Sequence, residues 1–467
     1  MNKFVSSLNG ADVSVGRTVT ENGDATLDTS GKYMVDAFFR IGASRQSVGS
    51  FMKLAETAYI SDPQMFARLV LYGRDVREGA GERAMGRRLM NTFFERIVAD
   101  HGVTPDVVIR KMVEMGRWDD VLHSGDKVFE AAMPVIKEAL EAKDGLCAKW
   151  MPRKGAQAIA LRKYLGMNPK TYRKTLVELT NVVETKMCAK EWDAIDYNHI
   201  PSVAAKNYQK AFHRNDGERY REWIAALSKP DSGAKVNAGA IFPHDVLRGA
   251  NAGVMDAQWK ALPNYITENT SFLPMCDVSG SMSGVPMEVS VALGLYCSER
   301  NKSAFKDYVL TFSGNPRLIK VAGNTILDRK HFVHGMDRDW AMNTDIDKAF
   351  KLVLDHAVQN AVPQSDLPNK LIIFSDMQFD RCVSGGTDAT MYQRWTKKFN
   401  DAGYEMPGII FWNLRASVGS PVEFDTNGTA LVSGFSPSIL KNLLGGEIDP
   451  IKVITKTLMD DRYKIAA

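Results

Sequence analysis

A chain of 467 residues, 45% hydrophobic and 24% charged, has the make-up of a globular protein with room for two or three domains. Its formal net charge of +4 is too small to argue for nucleic acid, so any electrostatic case must rest on local patches. Five scattered cysteines with no CxxC pair argue against a disulfide framework and a zinc site. The chain has neither an apolar leader nor the ~20 apolar residues of a membrane span, so a cytoplasmic protein without membrane contact is expected.

Residues 1–30 are rich in Ser, Thr, Asn, Asp and Gly, lack periodicity, and read as a flexible arm. From about Lys32 the apolar residues recur at helical spacing. Tyr33, Ala37, Phe38 and Ile41 share one face, and Phe51, Leu54, Ala55 and Ala58 another. Asp62-Pro63 then opens a helix, because Asp caps and Pro suits the first turn. Gly79-Ala80-Gly81 breaks it, and Met85, Leu89, Phe93 and Ile97 mark the next. Helices of about 12–18 residues are expected to continue past Ala211 as an antiparallel, solenoid-like array over residues 31–255.

One stretch of this array stands out. Lys149, Arg153, Lys154, Arg162, Lys163, Lys170, Arg173 and Lys174 fall in a segment without Asp or Glu, with Trp150, Tyr164 and Tyr172 interleaved. Cations neutralise phosphates and aromatic rings stack unpaired bases, so the segment is a candidate RNA surface. The same run also fits a solvated helix face with its aromatics buried. Arg83, Arg87 and Arg88 form a second candidate patch, which also fits an ordinary amphipathic helix.

After a connector with short helices expected at 238–250 and 257–266, strands and helices alternate, the pattern of a mostly parallel sheet. Phe272–Cys276, Tyr308–Phe312, Lys370–Phe374 and Pro407–Trp412 are apolar runs of buried type. Arg317–Val321 pairs back on the second, and Thr429–Val432 makes a late edge. The first strand runs into Asp277-Val278-Ser279-Gly280-Ser281-Met282, the third into Ser375-Asp376, and Asn343-Thr344-Asp345 precedes a helix. Parallel strands open their carboxyl ends on one edge, so Asp277, Ser279, Ser281, Thr344 and Asp376 converge there. Two carboxylates and three hydroxyls are hard oxygen donors. They suit Mg²⁺, with Mn²⁺ or Ca²⁺ as alternatives, and leave a coordination position for a partner. An aspartyl-phosphate enzyme is the poorer reading of Asp277, because Ser279 stands where a second carboxylate is needed.

Asp277-Val278-Ser279-Gly280-Ser281, Thr344 and Asp376 resemble the metal-ion-dependent adhesion site of the von Willebrand factor A domain. That likeness implies direct metal contact by Ser279, Ser281 and Thr344, contact through waters by Asp277 and Asp376, and an acidic partner group completing the shell. A helical array followed by such a domain, here 256–467, resembles the Ro autoantigen architecture, with its HEAT-like TROVE module. The segments 181–192, Ile195-Asp196-Tyr197, 201–204, 238–244 and 431–437 resemble a group of Ro-related proteins from bacteria, phages and plants. The resemblance implies a non-catalytic scaffold for small or misfolded noncoding RNA, with single-stranded ends entering a helical ring and duplex parts on its basic outer face. A metal-dependent protein-interaction module without RNA, or a subunit of a nucleic-acid-processing enzyme, are the alternatives.

Overall fold

The computed structural model describes residues 14–229, 231–266, 270–311, 316–335, 345–379, 389–445 and 448–466. It is an α+β protein: an N-terminal helical region, then a six-stranded mixed sheet covered by helices.

The helices begin where the local chemistry dictates. Asp62 accepts a hydrogen bond from the Met65 amide at 2.9 Å and Pro63 starts Pro63–Arg74. Asn168 caps Pro169–Leu179 in the same way. Val48–Ser61, Pro63–Arg74, Arg83–His101, Pro105–Met115 and Asp126–Glu141 are long helices whose apolar faces meet in one core, with Phe66 and Phe93 at 4.7 Å between ring centroids. Beyond Glu141 the expected long rhythm fails. Gly145–Trp150, Ala156–Tyr164, Pro169–Leu179 and Val183–Ala189 are shorter: Pro152, Gly155, Gly166 and Pro169 punctuate the first three, and Lys190, in the left-handed region at φ +60°, ends the fourth. A second, smaller core gathers Ile195, Tyr197, Phe212, Tyr220 and Val254. In the connector the helices are Pro243–Leu247, shorter than the one expected over 238–250, and Ala252–Ala261, as long as the one expected over 257–266 but begun five residues earlier.

The flexible arm expected over residues 1–30 is corrected for its described part. Arg17–Val19 (β1) and Ala25–Leu27 (β2) form an antiparallel hairpin, and residues 24–27 are buried. The partners that order it are remote: Leu27 and Ser420 exchange both main-chain bonds, at 3.0 and 2.9 Å. Residues 1–13 lie outside the described residues.

The main sheet contains Phe272–Cys276 (β3), Tyr308–Thr311 (β4), Leu318–Lys320 (β5), Lys370–Ser375 (β6), Gly408–Asn413 (β7) and Thr429–Ser433 (β8). The order is β5-β4-β3-β6-β7-β8, parallel throughout except for β5. β3 lies beside β6 with Cys276 opposite Phe374, which sets Asp277 next to Ser375. β8 ends the sheet as expected, yet all five of its residues are buried. The Tyr33–Ile41 helix closes that edge: Ser433 Oγ donates to Phe38 O at 3.0 Å and accepts from Gly42 N at 2.9 Å. A division at 255/256 therefore does not separate two cores, since one apolar cluster runs from Met34 through the sheet to Ile465. At the C-terminus, Tyr463 and Arg462 hold the fully buried Asp75 of the helical region.

Gly42 is required by this contact. A Cβ there would lie 2.4 Å from Ser433 O and 2.6 Å from Gly434 Cα, atoms of the main chain that cannot swing aside. Gly42→Ala is expected to cost about 1–3 kcal/mol, as overpacking does. A melting temperature equal to that of the wild type would refute so close an approach.

The segments 238–244 and 431–437, singled out together in the sequence, meet at this junction. His244 packs edge-on against Phe435 at 5.4 Å and lies parallel to Phe242 at 6.0 Å, while the Arg45 guanidinium sits 4.0 Å from the Phe435 ring. Arg45 also holds the buried Glu82, its Nε 2.9 Å from Glu82 Oε1. Burial pushes the His244 imidazole below its ordinary value. Arg248, Arg45 and Lys206 push the same way, and Asp245 opposes them. The unfolded chain thus binds the proton more readily, so this group's contribution to stability is lost as pH falls below about 6.5. His244→Phe keeps an aromatic ring and removes the titration. Its melting temperature should fall less than that of the wild type between pH 7 and pH 5; parallel curves would count against the assignment.

Candidate metal centre

The residue after β3 is Asp277, whose amide still pairs with Phe374 O at 3.0 Å and whose side chain is fully buried. Its Oδ1 accepts from the Ser279 amide at 2.9 Å, a tight Asx turn that starts the Gly280–Met282 helical turn. Its Oδ2 accepts from Ser375 Oγ at 2.6 Å. The Ser279 and Ser281 hydroxyls lie 3.0 Å apart. From β6 comes Asp376, also fully buried, with Oδ1 accepting from the Gln378 amide at 3.1 Å. Its Oδ2 is buried with no hydrogen-bond partner, and the nearest cation is Arg415 Nη1 at 3.9 Å. Four of the five metal residues expected from sequence, Asp277, Ser279, Ser281 and Asp376, thus stand at the carboxyl ends of the adjacent β3 and β6. Thr344 lies outside the described residues.

The two buried carboxylates act on each other. Burial, and then repulsion from Asp376, push the Asp277 carboxyl up to about 7 against the hydrogen bonds from Ser375 and Ser279. An orphaned carboxylate oxygen costs free energy that a cation recovers. The donors are oxygens only, two carboxylates with hydroxyls, and they fit a hard divalent ion. Among the described residues no three His, Cys, Asp or Glu side chains converge, so a site of the nitrogen–sulfur type is not present there.

Two neighbours were not read from the sequence. Ser375 was visible only as part of the strand end; its hydroxyl turns out to fix the Asp277 carboxylate. Arg415, two residues past β7, donates from Nη1 to Ser281 O at 2.6 Å and shades the Asp376 oxygen. Its signal lay in strand order: β7 adjoins β6, so the loop after β7 has to border the site.

The basic segment divides. Arg153, Lys154, Lys163, Lys170, Arg173 and Lys174 are exposed and Arg162 is half-buried; among the described residues none of these seven is in an ion pair. Lys149 is different: its Nζ pairs with Glu184 at 2.9 Å. Trp150 is half-buried, with the Arg117 guanidinium 4.6 Å from its ring centre. Tyr164 is 48% exposed. The expectation that Tyr172 stacks bases is corrected. It is 2% exposed, and its hydroxyl donates to Pro152 O at 2.9 Å, bracing the turn between two short helices. In the second patch, Arg83 and Arg88 are exposed, but Arg87 is held by Asp120 at 2.7 Å and Asp119 at 2.8 Å, within a buried network that includes Arg74. Arg117, absent from the sequence reading, joins that network to Trp150 through its ion pair with Asp119.

Two family profiles match the chain. A domain of unknown function, DUF7788, covers residues 271–462, and a domain of unknown function, DUF2828, covers residues 133–272. The first takes in the whole six-stranded sheet with Asp277, Asp376 and Arg415; the second takes in the basic segment and the smaller core. The chain is also similar to "Uncharacterized protein L728" of Acanthamoeba polyphaga mimivirus, at 27% identity over 504 residues, covering 94% of this chain and 86% of that protein.

Proposed function

We propose that this protein is a non-catalytic, Ro-like RNA-binding scaffold. In this reading the helical region is a HEAT-like TROVE module that holds small or misfolded noncoding RNA, or its single-stranded ends. The sheet region is a von Willebrand A-type domain that docks a partner through a divalent ion. The observation that carries the RNA half is the surface of Arg153, Lys154, Lys163, Lys170, Arg173 and Lys174, exposed and without ion pairs among the described residues. Such unneutralised cations are what phosphate binding by counterion release requires. Arg83 and Arg88, exposed on the Arg83–His101 helix, are a second set of cations that RNA could meet. The ultraviolet absorbance ratio of the purified protein, followed by sequencing of any nucleic acid it carries, tests the proposal. Protein free of nucleic acid, with no salt-dependent affinity for single-stranded RNA, would sink it.

A second reading has its own observation, the buried and unpartnered Asp376 Oδ2. Asp277, Ser279, Ser281 and Asp376, with Thr344 from the sequence, would hold Mg²⁺, or Mn²⁺ or Ca²⁺. The ion would supply a coordination position for an acidic oxygen of another protein. Around it this chain's residues do the orienting: Ser375 holds the Asp277 carboxylate and Arg415 borders the mouth. A protein partner that is retained after chelation would argue against this role.

A further inference from the structure

Both loops that shape the metal pocket leave their strands through a strained turn. Met377, directly after Asp376, has φ +63°, and Ala416, directly after Arg415, has φ +55°. Neither residue is a glycine, so each turn persists only because its surroundings hold it there. Local bonds contribute, from the Met377 amide to Ser375 Oγ at 3.1 Å and from the Arg415 amide to Asn413 Oδ1 at 3.0 Å, and in both cases further holding groups come from the N-terminal segment.

Behind Asp376, the Gln378 amide donates to Asp376 Oδ1 at 3.1 Å. The Gln378 side chain in turn accepts from the Glu21 amide at 2.6 Å, and Gln378 O accepts from Asn22 Nδ2 at 2.7 Å. At the next residue, Phe379 O accepts from Thr20 Oγ1 at 2.7 Å. Asp24, buried in the same hairpin, pairs with Arg394 at 2.8 Å. Behind Arg415, Ala416 O accepts from Arg40 Nε at 3.3 Å; Arg40 is 7% exposed and is itself tied to Ser50 at 3.0 Å. Four residues further on, Ser420 O accepts from Thr26 Oγ1 at 2.9 Å. One continuous stretch of chain, 17–42, therefore crosses the carboxyl edge of the sheet. It fastens the loop after β6 and the loop after β7, then closes against β8.

We propose that residues 17–42 are a working part of the metal site: a strap that holds Asp376 and Arg415 in place, with Gln378 and Arg40 as positioning residues. The inference rests on the metal reading above and adds to it the segment on which the site depends. Coupling of this kind is reciprocal. Two three-residue strands do not hold together alone in water, so an ion that fixes the Asp376 loop also fixes the hairpin docked on it.

The probe is Mn²⁺ alone, with bound and free ion separated by electron paramagnetic resonance on the full-length protein. Gln378→Ala, and the pair Thr20→Val with Asn22→Ala, should each weaken Mn²⁺ binding at least about tenfold. Thr20→Ser, which keeps the hydroxyl donor, should bind like the wild type. Ser438→Ala removes a comparable bond to Glu78 O, 2.9 Å long and away from both loops, and should leave Mn²⁺ affinity unchanged whatever it does to the metal-free melting temperature. Saturating Mn²⁺ should also slow amide exchange at residues 17–27. If the wild type holds no Mn²⁺, the metal reading falls and the strap with it. If the wild type binds and the Gln378 and Thr20/Asn22 variants stay within twofold of it, the metal reading stands and the strap is overturned. An equal loss in Ser438→Ala overturns it too, since affinity would then follow stability alone.

Discussion

Asparagine in place of Asp277 should erase the stabilisation of this protein by Mg²⁺ while leaving the metal-free protein at least as stable as the wild type. Two fully buried carboxylates stand at the ends of adjacent strands, with the Arg415 guanidinium 3.9 Å from Asp376, and the Asp277 carboxyl is pushed up to about 7 by burial and by Asp376. Without metal, an ionised Asp277 is a burden on the fold. Asparagine has the same shape, still accepts from the Ser279 amide and still meets the Ser375 hydroxyl, but it brings no charge. With metal the balance reverses. At about 100 times its dissociation constant an ion that binds only the folded state adds ~2.7 kcal/mol, worth a few degrees of melting temperature in a protein of this size. Wild type should show that rise with Mg²⁺, and Asp277→Asn should not. A rise of the same size in both proteins means the ion sits elsewhere; a metal-free variant that melts well below the wild type means Asp277 is a structural acceptor rather than a ligand.

This residue also marks where the fold could be read from sequence. β3, β6 and β7 are apolar runs that only a sheet buried on both faces accommodates, and their ends point to one edge whatever the details of packing. Asp277 and Asp376 followed from that alone. The hairpin at 17–27 could not follow, because its bonds go to Gln378, Phe379 and Ser420, more than 350 residues away, and its own sequence is polar. For Tyr172 and Arg87 the sequence leaves two readings open for a related reason. Helical spacing shows that residues share a face, but which face is inward depends on what packs there. The turn at Pro152 takes up the Tyr172 hydroxyl, and Asp119 and Asp120, both buried, claim Arg87. Arg415 needed strand order, which periodicity does not contain. The sheet was therefore legible as a pattern, and the supports of its site were not, since they are long-range and polar.

Glutamate at Lys154, Lys163, Lys170 and Lys174 together should weaken binding of single-stranded RNA by at least about 100-fold at 0.1 M salt, with the fold intact. All four side chains are exposed and, among the described residues, none is engaged in an ion pair, so reversing them disturbs no internal contact of that kind. Each phosphate contact on a single strand contributes about 0.7 to the slope of log affinity against log salt, so losing four should flatten that slope by ~3. The slope separates this from a generic loss of affinity, because a misfolded surface weakens binding without removing a countable number of released ions. Tyr172→Phe supplies the contrast. Its hydroxyl holds Pro152 O from inside the turn, so its loss should cost about 1 kcal/mol of stability and leave RNA affinity unchanged. Were Tyr172 a stacking platform, the phenyl ring would keep both affinity and stability; were the lysines only a solvated face, the fourfold reversal would leave affinity and slope where they were. The two variants together distinguish a phosphate surface braced from beneath by Tyr172 from a helix face that is merely charged.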